Sequence, residues 1–232
     1  MVPAVAANLE EIRRRIEAAA RRAGRDPASV TLVGVSKTMP PEPVREAIDA
    51  GLRDLGENRV QEAREKIPAL PSGLRWHLVG HLQANKANLA ARLFQVIHSV
   101  DSADLLDRID RAAAREGRPI DLLVQVDLAG EATKSGIPES ELDGVLQAAG
   151  GCRNAIVKGL MILPPYDPDP EKSRGWFRRL REIRDRARPR HPGLRLDDLS
   201  MGMTEDFEVA IEEGATLVRV GRALFGERIR PA

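Results

Sequence analysis

The sequence predicts an α/β protein in which a single (β/α)8 barrel of the TIM type follows one extra N-terminal helix. Strand-like and helix-like segments alternate along the chain, which indicates βαβ units and a parallel sheet. Eight strand-like segments fit into 232 residues, as a closed barrel requires. The strands are short apolar runs, as expected where both faces are covered. An open doubly wound sheet is the alternative, but no G-x-G-x-x-G follows the first strand.

The individual elements follow from periodicity and from cap signals. Asn8 is predicted to cap a first helix that runs from Leu9 to about Ala23, and Gly24 ends it. The predicted strands are 30–36, 53–56, 75–79, 95–100, 120–127, 156–161, 196–200 and 216–220. The helices predicted between them are 41–51, 57–67, 83–92, 102–116, 138–149, 171–187 and 204–213. Each helix shows apolar residues at spacings of three and four.

The composition limits the functional classes. Lys and Arg total 36 against 35 Asp and Glu, so the balance shows no basic field for nucleic acid. Cys152 is the single cysteine, which excludes an internal disulfide and is consistent with a reducing compartment. The N-terminus lacks the pattern of a signal peptide, and no apolar run approaches the roughly 20 residues that span a bilayer. We expect a cytoplasmic protein in which residues 1–232 form one domain.

Lys37 stands at the end of the first predicted strand, on the same face as Val33 and Val35. Desolvation there favours the neutral form of an amine, and a neutral amine attacks aldehydes to form a Schiff base. A lysine that reaches the rim or pairs with a carboxylate explains the residue equally well when it is taken alone.

The ends of the seventh and eighth predicted strands carry residues that suit the binding of an anion. The segment SMGMT, from Ser200 to Thr204, ends a strand and precedes a helix whose free N–H groups suit phosphate. Simple capping by Thr204 is compatible with the same pattern. Arg219 interrupts an apolar strand and needs a partner, and Gly221 follows at another possible helix start. Barrels of this class often hold phosphate at these two strands, although a structural salt bridge also accounts for Arg219.

Asn58 and His81 follow the second and third strands, where capping and loop hydrogen bonds explain them as well as function does. Metal-ligand spacings and a G-x-S-x-G motif are missing from the sequence.

Taken together, five segments give the chain a family resemblance. It is similar to the YggS/PROSC family of pyridoxal phosphate homeostasis proteins from about residue 5 to 228. The segments that carry the similarity are SKTMP, GENRVQE, WHLVGHLQANK, GLMILPPY and LSMGMTEDFEVAIEEGATLVRVGRALFGER.

The resemblance implies a barrel of the alanine racemase N-terminal type that binds pyridoxal 5′-phosphate (PLP) as a covalent imine on Lys37. It implies that Ser200 and the backbone at Gly221 and Arg222 hold the phosphate, and that Arg219 faces the pyridine nitrogen. The residues expected to bind the cofactor are Lys37, Asn58, His81, Met161, Ser200, Met201, Arg219, Gly221 and Arg222. Apo PLP-dependent enzymes are expected as partners, and we expect a monomer that binds neither nucleic acid nor membrane.

Two positions depart from the family pattern. Position 222 is Arg where relatives often have a small hydroxyl residue, so Arg222 either replaces a phosphate contact or points away. Ile162 and Leu163 stand where relatives often have a more polar pair, which predicts a drier lining.

Three functions remain open at this stage. The first is PLP homeostasis without robust catalysis, because a cationic Arg219 beside the ring nitrogen weakens the ring as an electron sink. The second is an amino-acid racemase, which needs an acid–base group opposite Lys37. Tyr166 is the single tyrosine, and the sequence ends soon after the eighth strand, so we expect no second domain to supply one; weak proton transfer by Tyr166 or His81 stays open. The third is a phosphometabolite-binding barrel in which Lys37 is an ion-pair partner.

Overall fold

The computed structural model describes residues 5–130 and 135–226, which form nine helices and nine strands. The helices are α1 Val5–Arg22, α2 Pro41–Asp49, α3 Val60–Lys66, α4 Ala87–Leu93, α5 Ala103–Glu116, α6 Glu139–Ala149, α7 Glu171–Ala187, α8 Phe207–Glu212 and α9 Arg222–Phe225. The strands are β1 Thr31–Val35, β2 Asp54–Glu57, β3 Arg75–Leu78, β4 Val96–Val100, β5 Ile120–Asp127, β6 Ile137–Pro138, β7 Ala155–Met161, β8 Asp198–Ser200 and β9 Leu217–Val220.

Eight of these strands close into a parallel barrel. The order is β4-β3-β2-β1-β9-β8-β7-β5, and pairing of β4 with β5 joins the two ends. The short strand β6 pairs with β5 outside this ring. The predicted (β/α)8 barrel is therefore confirmed, and because all its strands are parallel, their carboxyl ends share one mouth.

Apolar side chains pack against both the outer and the inner face of the barrel sheet. A large cluster lies between the sheet and the surrounding helices. A smaller cluster formed by Val33, Val96, Leu123, Met161 and Leu217 packs separately from it. These five residues come from β1, β4, β5, β7 and β9, so they fill the barrel interior.

The extra N-terminal helix is present, but it begins at Val5 and not at Leu9. Asn8 therefore lies inside α1 and does not cap it. Its Nδ2 donates instead to the Leu224 carbonyl, 3.0 Å away, and so ties α1 to α9. Gly24 follows the helix with φ +66°, a left-handed conformation that glycine adopts without strain.

Three predicted helices begin later than expected by three or more residues, and of these 83–92 begins at Ala87, after a short 3-10 turn at Ala84–Lys86. The segment 57–67 starts as a helix at Val60, because Glu57 still belongs to β2 and is buried. The segment 204–213 starts at Phe207, so Thr204 does not cap α8. Its hydroxyl oxygen instead accepts a long hydrogen bond from the Ala223 amide, at 3.4 Å.

Among the helices of the described ranges, none combines the length and the apolar character needed to cross a membrane.

Candidate functional site

The barrel mouth gathers residues from strands far apart in sequence. Lys37 and Asn58 follow β1 and β2, His81 follows β3, and Gly221 and Arg222 follow β9. Met161 ends β7, Ser200 ends β8 with Met201 after it, and Arg219 lies within β9.

Lys37 and Gly221 lie at neighbouring strand tips. Gly34 of β1 pairs with Val220 of β9, and a Cβ placed on Gly221 would approach the Val35 carbonyl oxygen to 3.1 Å. Lys37 is half-buried, two residues beyond the end of β1. The end of β1, which leads to Lys37, therefore lies beside the start of α9.

The backbone beside Lys37 is strained. Thr38 has φ 62°, a left-handed conformation that is unusual for a β-branched residue. The Thr38 amide donates to Oε1 of Glu62 on α3, which holds this conformation. Strain of this kind persists where surrounding contacts fix it, and it is common at functional sites.

A buried ion pair between Lys66 and Glu57 stabilises the same loop. The ammonium of Lys66 lies 2.6 Å from Glu57 Oε1 and 2.6 Å from the Ser36 carbonyl oxygen. Glu57 Oε1 also accepts from the Ser36 hydroxyl at 2.6 Å. Burial raises the pKa of Glu57, and Lys66 opposes that rise. We call Glu57, Glu62 and Lys66 the α3 anchor, because together they fix residues 36–38.

Arg219 is buried, with 4% of its surface exposed, and it points into the barrel interior. Nη1 donates to the Ser200 hydroxyl oxygen, and Nη2 donates to the Ile162 carbonyl, 3.0 Å away. Within the described part of the chain, its hydrogen-bond partners are a hydroxyl and a carbonyl, and no carboxylate forms an ion pair with it. Burial lowers the pKa of Arg219 to about 10, so the guanidinium keeps its positive charge at neutral pH.

Sequence reasoning missed two buried histidines. His98 Nδ1 lies 2.8 Å from the Ser200 hydroxyl, and His98 Nε2 lies 2.9 Å from Nδ1 of His77. His77 Nε2 in turn lies 2.9 Å from Asp54 Oδ1. The available signal was a histidine inside each of two apolar strands, 75–79 and 95–100.

The segment after β8 and the start of α9 face each other. Thr204 Oγ1 contacts the Ala223 amide, while Gly221 and Arg222 begin α9. The Arg222 side chain is exposed and donates to Glu205 Oε1 at 2.8 Å. Of the two orientations expected for Arg222, the structure therefore has the one in which its guanidinium binds a neighbouring carboxylate.

The remaining predicted residues differ in burial. Met161 is fully buried in the interior cluster, and the half-buried Leu163 packs against that cluster. Ile162 is buried in the large cluster between the sheet and the helices, so of the pair expected to give a drier lining only Leu163 packs against the interior. Asn58 is half-buried, and Gly80 crowds its backbone: a Cβ on Gly80 would lie 2.2 Å from the Asn58 carbonyl oxygen. His81 is at the rim with 49% of its side chain exposed, 3.2 Å from Asp101 Oδ2.

Comparison with known proteins identifies the class first. Residues 7–229 match the family model described as alanine racemase, N-terminal domain. An alanine racemase from Streptomyces coelicolor shares this fold, with a TM-score of 0.68 at 22% identity over 96% of this chain and 58% of that one. The fold and the family model thus define a barrel of the alanine racemase N-terminal class.

Closer relatives identify the family. A pyridoxal phosphate homeostasis protein from Aquifex aeolicus is 45% identical, with 95% of this chain and 96% of that protein covered. The solved structure of PipY from Synechococcus elongatus with PLP bound has a TM-score of 0.84 at 39% identity, covering 96% of this chain and 100% of that one. The chain belongs to the family of pyridoxal phosphate homeostasis proteins.

Proposed function

We propose that this protein binds PLP through a Schiff base on Lys37 and takes part in intracellular PLP homeostasis without robust catalysis. The observation that carries the proposal is the buried cation of Arg219 on β9, the strand that pairs directly with the one leading to Lys37. The PLP bound in PipY, a relative of similar fold, supports the same assignment.

The residues present fit the chemistry of this cofactor. PLP carries an aldehyde, a ring nitrogen and a phosphate. An amine at Lys37, a cation at Arg219 and backbone amides at Gly221 and Arg222 stand at the tips of two adjacent strands. Met161 and Leu163 supply apolar lining. The half-buried Asn58 and the rim residue His81 remain predicted contacts. Met201 also remains a predicted contact, although its side chain is fully buried in the large cluster between the sheet and the helices.

Ser200 contributes indirectly in this proposal. Its hydroxyl already contacts the guanidinium of Arg219 and the imidazole of His98 in the buried interior. The phosphate is therefore assigned to the amides of Gly221 and Arg222, and Ser200 acts by holding Arg219.

The same residues explain why strong catalysis is not expected. When bound, PLP supplies an electron sink whose strength depends on the protonation of its ring nitrogen. The cationic Arg219 beside that nitrogen disfavours its protonation. Tyr166, a candidate acid–base group for a racemase, is 76% exposed. The racemases that resemble the chain do so at low identity, whereas its closer relatives are named homeostasis proteins.

Location and partners complete the proposal. We infer a monomer that acts in the cytoplasm, which the single cysteine supports. Apo PLP-dependent enzymes are proposed as recipients of the cofactor.

Lys37→Ala tests the proposal. The wild-type protein with PLP is expected to show an imine absorbance band near about 420 nm that borohydride reduction converts into permanent labelling of Lys37. The variant should lose the band and keep the circular dichroism spectrum of the wild type. Lys86→Ala is the matched control and should keep the band.

A band that survives in Lys37→Ala would contradict the assignment and turn attention to Lys86, Lys158 and Lys134, the last of which lies outside the described residues. Hydrogen exchange at Cα of amino acids at rates on the order of 1 s⁻¹ would favour the racemase instead.

A further inference from the structure

A chain of hydrogen bonds crosses the barrel interior from the mouth to the amino end of β2. It consists of Arg219, Ser200, His98, His77 and Asp54, and we call it the interior chain. Successive contacts measure 2.8 Å from Ser200 to His98, 2.9 Å between the two imidazoles and 2.9 Å from His77 to Asp54. Ser200, His98 and His77 are completely buried.

The groups at the two ends of the interior chain determine which partner donates each hydrogen bond along it. A guanidinium can only donate hydrogen bonds, and a carboxylate can only accept them. Ser200 accepts from Arg219, so its one hydroxyl hydrogen is left for Nδ1 of His98. His98 then donates from Nε2 to His77 Nδ1, and His77 donates from Nε2 to Asp54. Both imidazoles are therefore neutral and carry their hydrogen on Nε2.

Hydrogen bonds donated in the opposite direction along the interior chain would require an additional proton. If His98 Nδ1 donated to Ser200, His98 Nε2 would have to accept from His77 Nδ1. The Nε2 of His77 faces the Asp54 carboxylate, so His77 would then become an imidazolium or Asp54 would become protonated. An added charge in a fully buried site carries a desolvation cost, which favours the neutral arrangement.

The surrounding charges agree with neutral imidazoles. Burial is the main cause that lowers the pKa of both histidines, and that of His98 lies well below its ordinary value. Arg75 of β3 lowers the pKa of both, and Arg219 of β9 lowers that of His98 further. Asp54 of β2 and Asp121 of β5 act in the opposite direction on His77 alone.

We propose that His98 and His77 are positioning residues that orient Arg219 toward the cofactor ring through the Ser200 hydroxyl. The inference rests on the proposed function in one respect, that Arg219 faces the pyridine nitrogen. With Nη1 held by Ser200 and Nη2 held by the Ile162 carbonyl, the plane of the guanidinium is fixed. The histidines act only through Ser200 and make no contact with the cofactor.

The tautomers are tested in the cofactor-free protein. Nitrogen-15 NMR of the imidazoles should show both His77 and His98 as neutral Nε2–H tautomers from about pH 8 to about pH 6. The exposed His81 serves as an internal reference with a separate signal. An Nδ1–H tautomer at His98, or an imidazolium at either buried position in this range, would overturn the proposal.

Two substitutions of His98 test the effect on the cofactor. In His98→Asn an amide oxygen takes the place of Nδ1 and still accepts from Ser200, whereas His98→Gln keeps a donor for His77 and leaves Ser200 without an acceptor. His98→Gln should weaken PLP binding about tenfold, with His98→Asn affected less than about threefold. Binding of inorganic phosphate, which has no ring, should stay unchanged in both.

Ser200→Ala provides a third variant with little change of volume, and it should also weaken PLP about tenfold and leave inorganic phosphate binding unchanged. Equal effects of the two His98 variants, or a parallel loss of phosphate binding, would refute the positioning role. A wild-type protein that binds no PLP would instead refute the proposed function, since the imidazole spectra are read without cofactor.

Discussion

Lys66 is a lysine buried almost as deeply as a core residue, with 6% of its side chain exposed. Its ammonium contacts Glu57, Glu62 and the Ser36 carbonyl, and so joins α3 to the tip of β1. Glu57 is fully buried, and its Oε2 finds no hydrogen-bond donor among the described residues. The ammonium of Lys66 therefore supplies the positive charge that compensates the buried carboxylate of Glu57.

Lys66→Met is expected to destabilise the protein by about 3–5 kcal/mol, because it leaves the Glu57 charge buried and uncompensated. Urea unfolding followed by circular dichroism measures the change. Glu57→Gln combined with Lys66→Met removes both charges and should recover more than half of the loss.

The stability lost in Lys66→Met should change with pH in one defined direction. Burial raises the folded-state pKa of Glu57 above its unfolded value, so the folded state holds the extra proton and stability is lost as pH rises through the folded pKa. The deficit of Lys66→Met should therefore be larger at about pH 8 than at about pH 5. A deficit that grows toward acid pH would contradict the α3 anchor as described.

At the scale of elements, the loops that follow β2 and β3 approach each other closely at Gly80. A Cβ at this position would lie 2.2 Å from the carbonyl oxygen and 2.8 Å from the Cα of Asn58, both of which are backbone atoms. The β2 loop must shift to admit any side chain there. The glycine in GHLQANK therefore fixes where Asn58 stands.

Gly80→Ala is expected to destabilise the protein by about 1–3 kcal/mol through this overlap and to weaken PLP binding by displacing Asn58. Gly144→Ala is the matched control, because Gly144 lies in α6 with no atom within 4 Å of a new Cβ. The control should raise the free energy of unfolding by about 0.5–1 kcal/mol. Thermal unfolding and PLP titration of the two variants compare them directly, and equal responses would contradict the close approach.

At the scale of elements, the structure also differs from the prediction in where some helices begin. The segment 57–67 has the composition of a helix, yet Glu57 stays in β2, where its carboxylate is bound by Lys66, the last residue of α3. Asn8 has the side chain of a helix cap, yet it serves as a donor to Leu224 across 216 positions of sequence. Local patterns locate the elements, but contacts with distant elements decide where they begin.

At the scale of the whole molecule, the closed barrel buries His77 and His98 in its interior. His77 and His98 have folded-state pKa values below the ordinary value of 6.5, mainly because of burial. Below that pH the unfolded chain binds more protons than the folded one, so the free energy of unfolding falls as the pH falls. Glu57, Asp101 and Asp198, whose pKa values burial raises, act with the opposite sign.

The midpoint of urea unfolding is therefore expected to decrease between about pH 7 and about pH 5.5. His77→Gln should reduce this pH dependence by removing one of the two groups. Gly144→Ala, which changes no titratable group, is the control and should keep the wild-type slope. A slope unaffected by His77→Gln would contradict the neutral buried pair.

The chain belongs to a family of PLP homeostasis proteins, and its barrel holds the proposed cofactor residues near or just after the carboxyl ends of strands of one sheet. That residues 1–232 form a single domain stays a prediction, as do the individual cofactor contacts.

The sequence by itself determined the alternation of strands and helices and the barrel, although it did not predict the short strand β6. Strand and helix periodicities are local, and Lys37, Arg219 and Gly221 can be placed near predicted strand ends before any fold is known. Tertiary structure alone decided that Ser200 joins His98, 102 positions away, and that His77 reaches Asp54. Closure of β4 onto β5 encloses the interior of the ring, and a polar group enclosed there must take the partners that other strands supply, whatever their distance along the chain.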